Sequence, residues 1–182
     1  AASLAALAPG LRLGLRITLG QTLSQTLHTR NLGSHTFHLT QALHSYFALG
    51  DAARVGIDGL TGLHYQDKLR NMAPDVQRKP FALDQACDRI YHHPGAAQHV
   101  RYTLNDPVWQ RRIVIDTAGS QSVVVWNPGS EGARNIADMP DDGWRDFFCV
   151  EAANAGPDVI TLAPGAEHRL EQTLSIILQA SP

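Results

Sequence analysis

Two residues stand out by type and setting as able to move protons. Glu151 lies in Phe147-Phe148-Cys149-Val150-Glu151-Ala152-Ala153-Asn154, an almost wholly apolar run with one carboxylate inside it. A Glu in such surroundings is rarely buried unless paired or functional, and desolvation raises its pKa toward the range of a general base. A strand-edge Glu in an ion pair is the plainer alternative. His44 lies in Thr40-Gln41-Ala42-Leu43-His44-Ser45-Tyr46-Phe47, on the strand face opposite Phe37, Leu39 and Leu43. If that apolar face packs between sheets, His44 points from the other face, where a curved sheet can hold a ligand. A hydrogen-bonded histidine on a polar face fits the same spacing. Asp88, in Asp84-Gln85-Ala86-Cys87-Asp88-Arg89-Ile90-Tyr91, is a third candidate, although an aspartate between loop and strand ordinarily caps or turns.

Other chemistries have less support. The chain has nine histidines, with His28, His35, His38 and His44 close in sequence and His92 next to His93. None makes an HExxH or a Cys/His zinc spacing, and strand alternation sends His35 and His38 to opposite faces, so no metal is expected. No P-loop, GxGxxG or GxSxG occurs, which leaves nucleotide cofactors and serine-hydrolase chemistry without a motif.

The elements that must position these groups are strands. In Leu11–Leu19 the residues Leu11, Leu13, Leu15, Ile17 and Leu19 alternate with Arg12, Gly14, Arg16 and Thr18, the pattern of a half-buried strand. A Thr-rich strand over Gln21–Arg30 follows, then turn chemistry at Asn31-Leu32-Gly33-Ser34, then a third strand from Phe37 to His44. These three read as a meander. Further strands are expected at Arg54–Asp58, Gln98–Leu104, Arg111–Asp116, Gln121–Asn127, Phe147–Ala152 and Asp158–Leu162, and one over Leu170–Leu178. Pro and Gly punctuate the intervals, and Pro128–Arg145 reads as a long surface loop beside Trp126. Short strands at regular spacing without a long helix predict an all-β antiparallel sandwich or barrel. The Ala-rich start, Ala1–Ala8, reads as a loose terminus or the cut edge of a larger domain.

Composition narrows the class further. The 182 residues are 43% hydrophobic and 18% charged, enough for one domain with its own core and too apolar for disorder. A net charge of −2, with pI near 6.5, argues against a phosphate-backbone binder, so no nucleic acid is expected. Cys87 and Cys149 form no CxxC and read as thiols in a reducing, cytoplasmic setting. No apolar run approaches the roughly 20 residues that span a bilayer, so no membrane partner is expected.

A set of ordered motifs carries more than spacing can. Leu39-Thr40-Gln41-Ala42-Leu43-His44-Ser45-Tyr46-Phe47, then Gly59-Leu60-Thr61-Gly62-Leu63-His64-Tyr65-Gln66-Asp67-Lys68, resembles the hexose-6-phosphate mutarotases, or glucose-6-phosphate 1-epimerases, of the aldose 1-epimerase kind. Asp88-Arg89-Ile90-Tyr91, Val124-Val125-Trp126-Asn127-Pro128, Cys149-Val150-Glu151-Ala152-Ala153-Asn154 and Leu162-Ala163-Pro164-Gly165 continue the resemblance in order, from about Leu11 to the end.

The resemblance implies a galactose-mutarotase-like β-supersandwich over residues 1–182. It also implies an isomerase that interconverts the α and β anomers of a hexose 6-phosphate without metal or cofactor. Carried over by motif, His44 is the general acid, Glu151 the general base, Asp88 a contact to sugar hydroxyls and Asn127 a substrate-side contact. The family's Arg-Gly-Gly and His-Gly-Phe-Ala-Arg motifs, whose arginines are the expected phosphate ligands, are not in these 182 residues. The chain is therefore expected to be part of a longer product, with unpaired strand edges and weak preference for the 6-phosphate. A non-catalytic carbohydrate-binding sandwich is the alternative function, and a structural interaction domain without a small ligand ranks last. Retention of both His44 and Glu151 favours the enzyme, because binding alone needs no acid–base pair.

Overall fold

Period-two alternation folds here into strands whose described pairings are all antiparallel. The structure, a computed structural model, describes residues 8–83, 85–95 and 99–179. The Ala-rich start up to residue 7, and the first residue of the strand expected at Gln98–Leu104, lie outside the described residues.

Two seven-stranded sheets face one another. Sheet A has the order β1 (Leu11–Leu19), β2 (Leu23–Asn31), β16 (Glu167–Leu178), β12 (Arg111–Ala118), β11 (His99–Asp106), β6 (Gly56–Asp58) and β9 (Phe81–Ala82). Sheet B runs β4 (Gln41–Leu43), β14 (Phe147–Asn154), β13 (Ser122–Asn127), β10 (Cys87–His92), β7 (His64–Asp67) and β8 (Ala73–Val76). The strand β5 (Tyr46–Ala48) follows β4 along the same edge of β14. A separate two-stranded ribbon joins β3 (Phe37–Leu39) to β15 (Ile160–Leu162).

The core lies between the sheets. Sheet A contributes Ile57, Tyr102, Leu104, Ile113 and Ile115, and sheet B contributes Phe47, Tyr65, Tyr91, Val123, Val125, Phe148 and Val150. Each large apolar side chain buried this way contributes roughly 1.5–3 kcal/mol. The all-β antiparallel sandwich thus follows from the alternation, because the inward residues of each strand meet those of the other sheet.

Three expectations change. The first three strands do not form a meander: β1 and β2 pair, but the third strand breaks at Thr40 into β3 and β4, which join different sheets. Pro128–Arg145 is not a plain loop. It holds a short helix, α1 (Gly129–Ala133), leads into a 3-10 turn at Gly143–Asp146, and buries Gly129, Ala133 and Gly143. Gly129 has φ +64, and a Cβ there would lie 2.7 Å from the Ala86 backbone nitrogen, so the loop needs glycine at this contact. Finally, β7, β8, β9 and β10 form across the stretch that contains Pro74 and Pro80, residues that interrupt its alternation.

The apolar stripe of β1 is left largely exposed. Leu13, Leu15, Ile17 and Leu19 are 41%, 54%, 58% and 81% exposed, and β1 ends the strand order of sheet A. A long apolar edge strand favours pairing with another chain. Sedimentation velocity should therefore show concentration-dependent association that the double substitution Leu15→Lys, Ile17→Lys reduces; unchanged association would contradict this.

Candidate active site

Register places the two proton-moving candidates side by side. On one edge of β14, Leu43 pairs with Ala152 and Tyr46 with Cys149. The same register carried through the gap sets His44 opposite Glu151 and Ser45 opposite Val150. Directly opposed residues on antiparallel strands share a face, with Cβ atoms roughly 4.5–5.5 Å apart. His44 Nε2 accordingly lies 3.3 Å from Glu151 Oε1. The ladder itself is interrupted at His44 and Ser45, where the Ser45 N–H donates to the Leu43 carbonyl at 3.0 Å. This local turn frees the imidazole to lean toward the carboxylate.

One amide from the opposite sheet holds the gap in place. Gln172 on β16 is fully buried. Its Nε2 donates to the Val150 carbonyl at 3.2 Å, and its Oε1 accepts a short hydrogen bond from the Ser45 hydroxyl. Gln172 thus grips the chain beside His44 and the chain beside Glu151 together. The rings add orientation. Tyr46 stacks on His44 with centroids 4.9 Å apart and 17° between planes, and Trp126 meets His44 edge-on at 6.0 Å.

The same face of sheet B continues into a cleft of about 400 Å³, lined by His44, Lys68, Asp88, Trp126, Glu151 and Asn154 among others. Asp88 pairs in register with Trp126, which pairs with Cys149, so all three occupy this face. At one end Gln41 donates to Asn154 at 3.3 Å and also accepts from Thr29 at 2.6 Å. His44 is half exposed, while the Glu151 side chain is 6% exposed.

Burial sets the electrostatics. Desolvation pushes the Glu151 carboxyl up to about 7, with the Lys68 ammonium opposing that rise and Asp88 adding to it. A carboxyl near neutrality can both take and return a proton in a reaction cycle. Desolvation, with Glu151 nearby, also pushes the Cys149 thiol well up, so it stays protonated beside the carboxylate. Among the described residues, no three His, Cys, Asp or Glu side chains gather in a way that could hold a metal ion.

The structure brings His44, Glu151 and Asp88 into one cleft and leaves Asn127 out. Asn127 is fully buried; its Nδ2 donates to the Trp144 and Phe147 carbonyls at 2.8 Å each, and its Oδ1 accepts from the Gly129 N–H at 2.9 Å. The reason is parity. Trp126 faces the cleft, so its neighbour on β13 faces the core, where Asn127 pins the 128–146 segment. Lys68, Trp126 and Gln172 were not singled out as site residues by spacing. Parity around Trp126 was the one available signal, since Lys68 and Gln172 acquire meaning only through tertiary contacts.

The chain belongs to the Aldose 1-epimerase family, which matches residues 10–175. Over 127 residues it is 36% identical to an Escherichia coli K12 protein provisionally named as glucose-6-phosphate 1-epimerase, a stretch covering 69% of this chain and 42% of that protein. A Cenchrus ciliaris protein with the same provisional name is 28% identical over 148 residues, which is 81% of this chain and 44% of the relative. The chain therefore spans less than half the length of these curated relatives. The crystal structure of YeaD from Salmonella typhimurium, provisionally called a mutarotase, superposes with a TM-score of 0.81 at 30% identity, covering 93% of this chain and 54% of that one. The galactose-mutarotase-like sandwich is the fold. No helix among the described residues is long and apolar enough to cross a membrane.

Two outcomes follow from this geometry. Gln172→Leu leaves the Ser45 hydroxyl and the Val150 carbonyl without their buried partner, and should lower stability by about 1–3 kcal/mol in urea unfolding; an unchanged midpoint would contradict the bridge. The folded protein also holds the Glu151 proton more tightly than the unfolded chain does. Glu151 therefore weakens the fold as pH rises from 4.5 through about 7. Against the parent, Glu151→Gln should gain stability between pH 5 and pH 8, and an equal difference at both would contradict the raised pKa.

Proposed function

We propose that this chain carries the acid–base centre of an aldose 1-epimerase acting on a hexose or hexose 6-phosphate, with residues 1–182 forming one mutarotase-like unit. The observation that supports this most is the direct opposition of His44 and Glu151 on a cleft, 3.3 Å apart, with the carboxyl desolvated. The names of the Escherichia coli and Salmonella relatives point the same way.

In this reading Glu151 removes the proton of the anomeric hydroxyl while protonated His44 delivers one to the ring oxygen, and the C1–O5 bond opens to the aldehyde. Rotation about C1–C2 presents the other carbonyl face. His44, now neutral, takes a proton back as O5 re-attacks C1, and Glu151 returns its proton to the new anomeric oxygen. Protons balance over the cycle, and no metal or cofactor is needed. Asp88 accepts from sugar hydroxyls. A purely sugar-binding sandwich would gain nothing from a desolvated carboxyl facing an imidazole. The two buried thiols, Cys87 and Cys149, support a reducing, cytoplasmic setting.

Saturation-transfer or polarimetric assays with glucose 6-phosphate, glucose and galactose test the reading. The parent should exceed buffer on at least one sugar. Glu151→Gln and His44→Ala should each lower that rate by about 10²-fold or more. Parental turnover in either variant would overturn the assigned roles.

A further inference from the structure

The cleft holds a second polar pair that the acid–base centre does not use. On β7, Asp67 pairs in register with Arg89 of β10, and the same register places the next residue, Lys68, opposite Asp88. Lys68 Nζ lies 2.9 Å from Asp88 Oδ1, and both residues line the cleft with His44 and Glu151.

The surroundings hold this pair where it is. Asp67, itself buried, accepts from the Leu69 N–H at 3.1 Å through Oδ1 and meets Arg89 Nε at 3.4 Å through Oδ2. It caps the 3-10 turn Lys68–Arg70, which ends at Asn71 in the left-handed region with φ 54. Asp67 and Arg89 therefore occupy one face of the β7–β10 pair, and Lys68 and Asp88 occupy the other. Asp88 Oδ1 is buried and has no hydrogen bond aligned on it. Its close partner is the Lys68 ammonium, 2.9 Å away. The exposure of the Asp88 side chain, 17%, thus falls on its other atoms, and the Lys68 side chain is 44% exposed.

Charge narrows what the pair can take. Among the described residues, Lys68 is the only lysine or arginine lining the cleft, and it is already matched by Asp88, with Glu151 close by. A phosphate dianion would meet two carboxylates for one ammonium. A neutral hydroxyl fits better, since it can donate to Asp88 and accept from Lys68 at once. Asp88 lies two strands from Cys149, through β13, and Glu151 is two residues further along β14, so the diagonal from Asp88 to Glu151 is about 12 Å at ordinary strand spacing. That is the span of one pyranose ring with a hydrogen bond at either end.

We propose that Lys68 is a specificity-determining residue: with Asp88 it clamps a ring hydroxyl on the side of the sugar remote from C1, so that the anomeric oxygen falls between His44 and Glu151. The clamp rests on the sugar-epimerase reading of the same cleft, and it predicts a dependence on one hydroxyl that acid–base chemistry does not.

Binding and turnover of glucose and its 2-, 3- and 4-deoxy analogues, measured on parent, Lys68→Met, Lys68→Arg and Asp88→Asn, test it. Calorimetry reads affinity, and saturation transfer reads exchange between anomers. The parent should lose about tenfold or more in affinity for one analogue. Lys68→Met should lose a similar factor on glucose and show no further loss on that analogue. Lys68→Arg, which keeps the charge and donors, should retain part of the discrimination, and Asp88→Asn should weaken it. If Lys68→Met kept the parent's full discrimination, or the parent turned over every analogue alike, the clamp would be overturned with the acid–base centre intact. A parent that bound and discriminated but did not exchange anomers would uphold the clamp and overturn the epimerase reading.

Discussion

The site depends on a single continuous register along one edge of β14. Because β4 and β5 follow the same pairing on either side of a two-residue gap, His44 must face Glu151 and Ser45 must face Val150. The gap is where the ladder loses hydrogen bonds, and Gln172 reaches across the sandwich to replace them. An unmade hydrogen bond in such a place would cost about 1–3 kcal/mol. The chain thus keeps an irregular backbone at the one position where an imidazole has to leave the pleat.

The two faces of sheet B divide the work. Its inner face is mostly apolar, with Asp67, Arg89 and Asn127 as polar members, and meets sheet A, while its outer face sets His44 beside Glu151 and Lys68 beside Asp88. The pairs differ in burial. Glu151 is close to fully covered and its carboxyl rises toward neutrality, which suits proton transfer. Asp88 keeps an ammonium at 2.9 Å, which suits recognition. One face of one sheet thus presents both pairs that the proposed chemistry and grip would use.

Much of this was legible in the residues. The alternation in Leu11–Leu19 specified a strand and its apolar face, and a lone Glu inside Phe147–Asn154 signalled a desolvated carboxylate. Which strands pair was not legible, since register is a property of two segments. The third strand, read as continuous from Phe37 to His44, splits because its halves have different partners. Proline and turn residues hid β7 to β10, and with them Lys68. Asn127 shows the opposite error: motif proximity suggested a substrate contact, whereas alternation from Trp126 already required it to face inward.

The most direct test of the account is a crystal structure with glucose or glucose 6-phosphate bound. The anomeric oxygen should lie within hydrogen-bond reach of Glu151, about 3 Å, and the ring oxygen similarly close to His44 Nε2. A sugar seated in the cleft with C1 turned away from both groups, or bound elsewhere on the sandwich, would contradict it.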